Sequence, residues 1–530
     1  MDPSTILRRY KCAEDARNQF RGMYERCYEL AAPNKNAYER AAGNIKSPYV
    51  FDSTPAIAMD SFVNTMMNTV TPTHTRWADL EAGDGLVGQF FILNGINPSK
   101  EEEDQQRKKY NEDLGRITES LFAYMNASNL YSALGSMYYD VGIGTGFLLA
   151  MPGDVRKGVG SPLNYRAMPP TVMSIEEGSF GEISAVFRKI NERHRDIKQE
   201  WLDIKSLGDQ EDDEKVELLE ATIFNPDIGR WDYFVLHESK IVVKREYRSN
   251  PWIVFRWDVI SGEIWGRGPM IKALPDAQQL NASREISIRA NQLSAFGAYM
   301  GISDDIVNTN MVRIVPGAVI PVKRNAGPSG PTLAPLPSVG NINAQLLQIQ
   351  ELEAKIRRLL LDDNLPSPDS PKMTATEVIE RVRKIQRDFG AVFGRISYEL
   401  LQPILQRTFD ILVYDRGLIP IPERIAQVYN RIDGFSIKMK IISPIARLQS
   451  MQDVESMMQV IQIIGGIDPN MLAASVKLED LPEWIADKLG APNRFIRSAQ
   501  EREDFVQAQQ EQAMQQALIQ QGPTQEEETL

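Results

Sequence analysis

Gly142, Gly144 and Gly146, in the run GIGTGFLLAMP, come nearest to a chemical motif in this chain. A glycine-rich turn ahead of a helix can cradle phosphate, because bare backbone N–H groups close on the anion. Here the spacing is not GxGxxG, no Lys-Ser or Lys-Thr follows, and the run leads into apolar residues rather than a helix. The pattern predicts a tight turn into a buried strand. The alternative it leaves is a cytosolic nucleotide-using enzyme with its glycine-rich turn at 142–146. His74, His194 and His237 have no HxxxH or HxE partner, and their neighbours predict surface or loop positions. Three histidines and two cysteines argue against a clustered zinc site. Asp362 and Asp363 are adjacent and point apart at a helix end; Asp369 converges with them only if the loop folds back. No catalytic set, metal site or cofactor site emerges from these residue types.

Composition narrows the class further. The 530 residues are enough for several domains, and 42% hydrophobic with 25% charged residues is ordinary for globular protein. No run of about eighteen apolar residues is present, so no membrane span is expected. The start, MDPSTILRRYKCAEDA, lacks the apolar core of a signal peptide. Cys12 and Cys27 sit in one helix-like segment. At about 1.5 Å per residue they lie roughly 20 Å apart, beyond disulfide reach, and read as free thiols of a reducing compartment. The net charge is −12, from 59 basic and 71 acidic residues. That balance argues against tight DNA binding over a broad surface but is compatible with a channel that DNA slides through.

The elements that would position any site centre on Gly262 to Arg416. After GEIWGRGP, Pro269 and Pro275 each suit an opening helical turn. The helix from Pro275 to Gly297 is polar for its length, which points to solvent bridging or oligomer packing. A Pro- and Gly-rich insert runs from Gly301 to Gly340 and contains short β-like runs, VRIV and AVIPV. A second helix, Asn341 to Leu361, carries Leu346, Ile349, Leu352, Ile356 and Leu360 as one apolar stripe. The proline-rich DDNLPSPDSPK breaks it, and Thr374 with Glu377 has the spacing of a capping box opening a long helix that stops at Pro403. Upstream, residues 5–45 are helical in pattern, Phe51–Val70 and Glu101–Asn126 are helices, and a third spans Leu130–Val141. From Phe147 to Trp257 six short runs predict an antiparallel sheet meeting helices. The last helix, FVQAQQEQAMQQALIQQ, has few apolar anchors, and GPTQEEETL reads as disordered.

GRGPMIKALPDAQQLN, the Pro-rich insert, and MTATEVIERVRK followed by LLQPILQRTFDILVYDRGLIPIP resemble a portal protein, or head-to-tail connector, of short-tailed T7-like phages. FDSTPAIAMDSF and TPTHTRWADL resemble the N-terminal part of the same family. The resemblance implies an α+β fold: a mixed wing, a helical-hairpin stem, a small β-containing clip, a helical crown and a C-terminal helical barrel, assembled as a ring of twelve. Mapped here, the wing is 1–260 plus 371–435, the stem 261–297 and 341–361, the clip 298–340, the tunnel loop 362–370, the crown 436–500 and the barrel 501–530. The family is not enzymatic and uses no cofactor. It implies partners: further copies of the chain, major capsid and scaffolding proteins, the terminase large subunit, tail adaptor and tube proteins, and double-stranded DNA without sequence reading. No membrane is involved. The place implied is the virion's portal vertex, after assembly in the host cytoplasm. The tunnel-loop residues are Asp362, Asp363, Asn364, Leu365, Pro366, Ser367, Pro368, Asp369, Ser370 and Lys372. Arg284, Arg289, Arg381 and Lys384 are channel-lining candidates, and Arg313, Lys323 and Arg324 give the clip a mildly basic face toward terminase or tail.

Overall fold

A computed structural model gives the fold. It describes residues 1–33, 50–73, 75–202, 204, 211–296, 299–301, 333–335, 342–362, 389–390, 392–422, 425, 436–442, 444–467, 476, 481–482 and 484–485. The chain is α+β. It falls into two compact units, one of Met1–Asn68, Leu80–Met373 and Arg387–Met439, the other of Thr69–Asp79, Thr374–Gln386 and Lys440–Leu530.

The larger unit opens with α1 (Pro3–Ala31), with a proline in its first turn where the missing N–H costs nothing. Its buried stripe of Ile6, Ala13, Phe20, Tyr24 and Cys27 follows helical spacing. Next come α2 (Thr54–Thr69), β1 (Ala78–Ala82), α3 (Asp84–Asn94), α4 (Lys100–Asn126) and α5 (Leu130–Ile143). Ser99 and Glu102 close a capping box at the start of α4. Two antiparallel sheets follow. β2 (Thr145–Pro152) lies between β3 (Leu163–Met168) and β9 (Trp252–Arg256). The larger sheet is a meander in chain order: β4 (Met173–Glu177), β5 (Ile183–Arg193), β6 (Lys215–Asn225), β7 (Arg230–His237) and β8 (Lys240–Tyr247). A short helix, α6 (His194–Glu200), leaves the end of β5.

Strand alternation explains why this meander is covered on both faces. On β6, Leu219, Ala221 and Ile223 join Phe187, Phe234 and the α1 residues Ile6 and Ala13 in one core. Val216 and Leu218 point the other way, to Ile197 and Trp201 at α6. All six predicted strand runs are strands. The first helix ends at Ala31, just before the turn signal expected at Pro33-Asn34, and α3, α6, β3 and β4 were not anticipated. His194 corrects the surface assignment. It is buried at the β5–α6 junction, where its N–H donates to the Glu214 carbonyl at 2.9 Å.

After β9 come α7 (Pro269–Phe296), β10 (Tyr299–Gly301), β11 (Leu333–Pro335) and α8 (Ile342–Leu359). Pro275 is not in the opening turn but inside α7, where it removes one rung of the hydrogen-bond ladder. Pro403 likewise does not stop its helix. It lies near the start of α9 (Gln402–Asp410), which continues the π-helical turns Ile396–Leu401 and runs on into Ile411–Asp415. A π-type turn shifts the ladder register, so the missing proline donor is absorbed. β12 (Ile437–Ile441) pairs with β1, and the Gly83 N–H donates to the Ser436 carbonyl at 2.9 Å. In the smaller unit the described helix is α10 (Pro444–Ile467), and the Ile442 N–H bonds the Trp77 carbonyl at 2.9 Å.

The glycine run makes the predicted turn, from α5 into the buried β2. Each of its glycines faces protein. A Cβ at Gly142 would lie 2.5 Å from the Met59 sulfur, and one at Gly146 2.6 Å from Val141. One at Gly144 would collide with Tyr24 Oη and the Gly266 carbonyl, and one at Gly266 would lie 2.6 Å from the Gly144 carbonyl. These glycines permit close backbone packing and leave no cradle for a phosphate. Gly144→Ala and Gly266→Ala are each expected to cost about 2–3 kcal/mol by overpacking. Gly88→Ala, in α3 with open space around it, should be neutral or stabilising by up to about 1 kcal/mol. Urea melts of the three variants check this ordering.

Candidate functional site

The helical hairpin of α7 and α8 is the feature that stands out from the body. Its root is apolar. Met270, Ala273, Ala277 and Leu280 of α7 are buried, as are Ile349, Leu352 and Ile356 on α8 and Leu360 just after it. The spacing of three and four puts each set on one face. The predicted α8 stripe holds from Ile349 onward, but Leu346 is 43% exposed. Beyond the root the hairpin displays Ile286, Ile288, Leu346 and Leu347 outward. At its far end β10 and β11 pair antiparallel, Tyr299 with Pro335 and Gly301 with Leu333, closing the neck of the insert.

One arginine braces this root. Arg284 donates from Nε to Asp52 Oδ2 at 2.7 Å, and another of its nitrogens bonds Glu353 on α8. Asp52 also accepts the Thr54 N–H at 2.8 Å, which caps α2. Asn281 accepts the Phe51 N–H at 2.7 Å. Residues 51–54 are thereby tied to α7 at two levels. Burial pushes the Asp52 carboxyl up, but the hydrogen bonds from Thr54 and Arg284 outweigh it and hold it below the usual carboxylate range. The Asp52 hydrogen bond in turn raises Arg284.

Of the four expected channel-lining residues, Arg284 is thus engaged by two carboxylates. Arg289 is exposed on α7 and bonds Glu285 one turn back. Arg381 and Lys384 lie outside the described residues, as do tunnel-loop residues 363–372 and the clip residues Arg313, Lys323 and Arg324. Asp362 is described; its carboxylate lies 3.9 Å from Arg357 Nε. Just before it, Leu361 takes a left-handed conformation, φ 61°, the helix-ending geometry that glycine usually supplies. His74, residues 374–388 of the helix opened by Thr374, the VRIV and AVIPV runs and residues 501–530 are also outside the described residues. Asp52, Asn281 and Glu353 were not singled out as site residues. Asp52 is legible as a helix cap, but no local pattern announces a partner 232 residues away.

Among the described residues, no three His, Cys, Asp or Glu side chains group to hold a metal, and no helix is long and apolar enough to cross a membrane. What the described residues present is a braced helical hairpin on an α+β body, with apolar side chains exposed on both of its helices. The chain belongs to the bacteriophage head to tail connecting proteins, whose family model matches residues 3–496. It is 23% identical over 447 residues to the probable portal protein of Bordetella phage BPP-1, covering 77% of this chain and 76% of that one. It is 24% identical over 370 residues to the portal protein of Salmonella phage epsilon15, covering 64% and 63%. A chain from the virion of a native gene transfer agent particle aligns with a TM-score of 0.27 and 13% identity, over 68% of this chain and 80% of that one. That score is too low to carry an argument. The chain is accordingly a structural component of a phage virion, a portal or head-to-tail connector.

Arg284→Ala leaves Asp52 buried without its cation. The expected loss is about 1–2 kcal/mol, because Arg284 keeps solvent contact. Arg284→Lys should recover only part, since an ammonium cannot fork between two carboxylates. Asp52 has a depressed pKa, so its stabilisation is present above the ordinary carboxylate range and lost as pH falls through the depressed value. In Arg284→Ala the depression is relieved, so less stability is lost on acidification and the gap between parent and variant narrows as pH falls. Urea unfolding of both variants between about pH 3 and 7 measures it.

Proposed function

We propose that this chain is one subunit of a twelve-fold ring at a single capsid vertex, forming the channel through which double-stranded DNA is packaged and later ejected. The observation that carries the reading is the hairpin flank. Ile286 is 60% exposed and Leu347 70% exposed, and Ile288 and Leu346 are exposed as well, on a hairpin whose buried contacts lie at its root. Side-by-side packing of hairpins in a ring removes that apolar surface from water. The two phage relatives, a probable portal protein and a portal protein, support the same role.

In this reading the regions keep their expected duties. The wing comprises 1–260 with 371–435, the stem 261–297 with 341–361, the clip 298–340, the crown 436–500 and the barrel 501–530. Major capsid and scaffolding proteins surround the wing. The clip docks the terminase large subunit and afterwards the tail adaptor and tube proteins. Residues 362–370 form the tunnel loop that grips DNA without reading its sequence. Arg289, Arg381 and Lys384 supply lining charge, while Arg284 is a brace. Assembly takes place in the host cytoplasm.

Electron micrographs and sedimentation of the purified chain in reducing buffer test this. The expected result is rings with a central hole, many times the 59.8 kDa chain in mass. Leu347→Asp with Ile286→Asp should keep the monomer's melting behaviour, since both side chains are exposed, yet weaken ring formation at least tenfold. A parent chain that stays monomeric at micromolar concentration refutes the proposal.

A further inference from the structure

Asp410, at the end of α9, is 2% exposed, and among the described residues it is the one buried carboxyl group whose two oxygens both lack a hydrogen-bond partner. It lies beside the corner Arg248–Pro251, which links β8 of the meander to β9 of the smaller sheet. Its polar neighbours there are Ser249 and Gln406, and the Ser249 hydroxyl is itself buried without a partner. Two arginines also face the carboxyl, and both are engaged elsewhere. Arg407, 1% exposed, donates from Nε to the Ala150 carbonyl at 3.1 Å, approaches Asp415 at 3.7 Å and lies over the Tyr247 ring at 4.7 Å. Arg248 is exposed and lies over the Tyr414 ring at 3.8 Å.

An ionised carboxylate buried without donors is costly enough that the group keeps its proton instead. Burial pushes Asp410 above the ordinary carboxylate range, and Ser249, Gln406, Arg407 and Arg248 do not offset it. We propose that Asp410 is a protonation switch at the joint between the two sheets and α9. With the proton bound, the carboxyl is neutral, Arg248 rests on Tyr414 and the corner packs against α9. With the proton lost to solvent, the new charge draws the cation that can move. Arg407 is buried and fixed to a backbone carbonyl, whereas Arg248 is exposed and its stack on a ring is weak. Arg248 therefore leaves Tyr414 for Asp410, the corner follows it, and the seating of the corner on α9 loosens. The switch needs one chain only and stands apart from the ring reading.

Urea melts of the full chain, parent against Asp410→Asn, from about pH 4 to 9 test this. A raised carboxyl contributes stability that is complete below the ordinary carboxylate range and is lost as pH rises through the raised value. The folding constant of Asp410→Asn relative to the parent should therefore grow with pH, by at most about tenfold per pH unit, and then level off. Asp415 and Glu220, also pushed up by burial, titrate in both chains and cancel in the ratio. A ratio that stays flat, or that falls because the parent gains an ion pair, overturns the proposal. Arg248→Met is the second variant, at an exposed position. Without that cation the parent's loss should move to higher pH; a loss that stays or moves lower also overturns it. Ring signals of ¹³C-labelled tyrosine, with Tyr414 assigned through Tyr414→Phe, read the movement of Arg248. The Tyr414 signal should shift across the same pH range in the parent and hold still in Asp410→Asn. A signal that never shifts, or shifts alike in both chains, overturns the switch.

Discussion

The fold depends on one backbone contact, where the turn at Gly144 meets the turn at Gly266. The Gly268 N–H donates to the Ile143 carbonyl at 2.7 Å, and the Trp257 N–H to the Gly144 carbonyl at 3.0 Å. Thr145 Oγ1 accepts the Gly266 N–H at 2.9 Å, and Tyr24 Oη donates to the Gly266 carbonyl. Trp265 fills the space between Tyr24 and Phe147, with ring centroids at 5.9 and 5.7 Å. Helices α1 and α5, strands β2 and β9, and the base of α7 all meet here. Buried backbone groups must find partners, and two chains can approach this closely only without Cβ atoms. The hairpin is therefore rooted through its main chain. Proline at 269 starts α7 one residue past Gly268, so its direction is set by bonds that no side-chain exchange alters.

Buried charge fixes the sheets to what covers them. Arg188, on the α6 side of the meander, reaches Glu220 on β6 at 3.1 Å and Glu200 on α6 at 3.0 Å. The two carboxylates respond differently. Burial pushes Glu220 up despite Arg188; Glu200 feels the same burial, but Arg188 and Arg166 outweigh it and hold it down. Arg407 works similarly from α9, donating to the Ala150 carbonyl at 3.1 Å on β2 and lying over the Tyr247 ring. Such pairs add little net stability over apolar packing, yet a misplaced partner leaves a bare charge in the core. They penalise alternative registers of helix on sheet.

How far the sequence reached follows from the range of each interaction. Strands β5 to β8 were legible because alternation is local and turns separate the runs. The α8 stripe was legible below Ile349, where burial follows the 3.6-residue period, and failed at Leu346, where the hairpin leaves the body. α3 was missed because DGLVGQFFILN is apolar on most sides and has two glycines, so no periodicity marks it. Pro403 misled because a proline normally ends a helix, and a register shift in the preceding turn is not encoded by any one residue type. At the hairpin root, Asp52 and Arg284 are ordinary residues in their own neighbourhoods. Only the tertiary fold makes them a pair, and a single sequence carries no trace of that.

The energetics of the hairpin flank limit what it can hold alone. Ile286, Ile288, Leu346 and Leu347 are exposed by 60, 40, 43 and 70%. Full burial of such a side chain contributes about 1.5–3 kcal/mol, so covering the exposed half of four contributes roughly 3–6 kcal/mol. Association costs on the order of 4–15 kcal/mol in lost rigid-body freedom. Stem packing therefore roughly offsets that cost and leaves little surplus. In a ring of the proposed kind, the surplus has to come from the α+β body, whose surface is larger and whose strands are rigidly supported. The consequence is a division of labour. Contacts between bodies would set subunit order and closure, while the stem, fixed at its root by Gly266–Gly268 and Arg284, would take its position from the body rather than impose one.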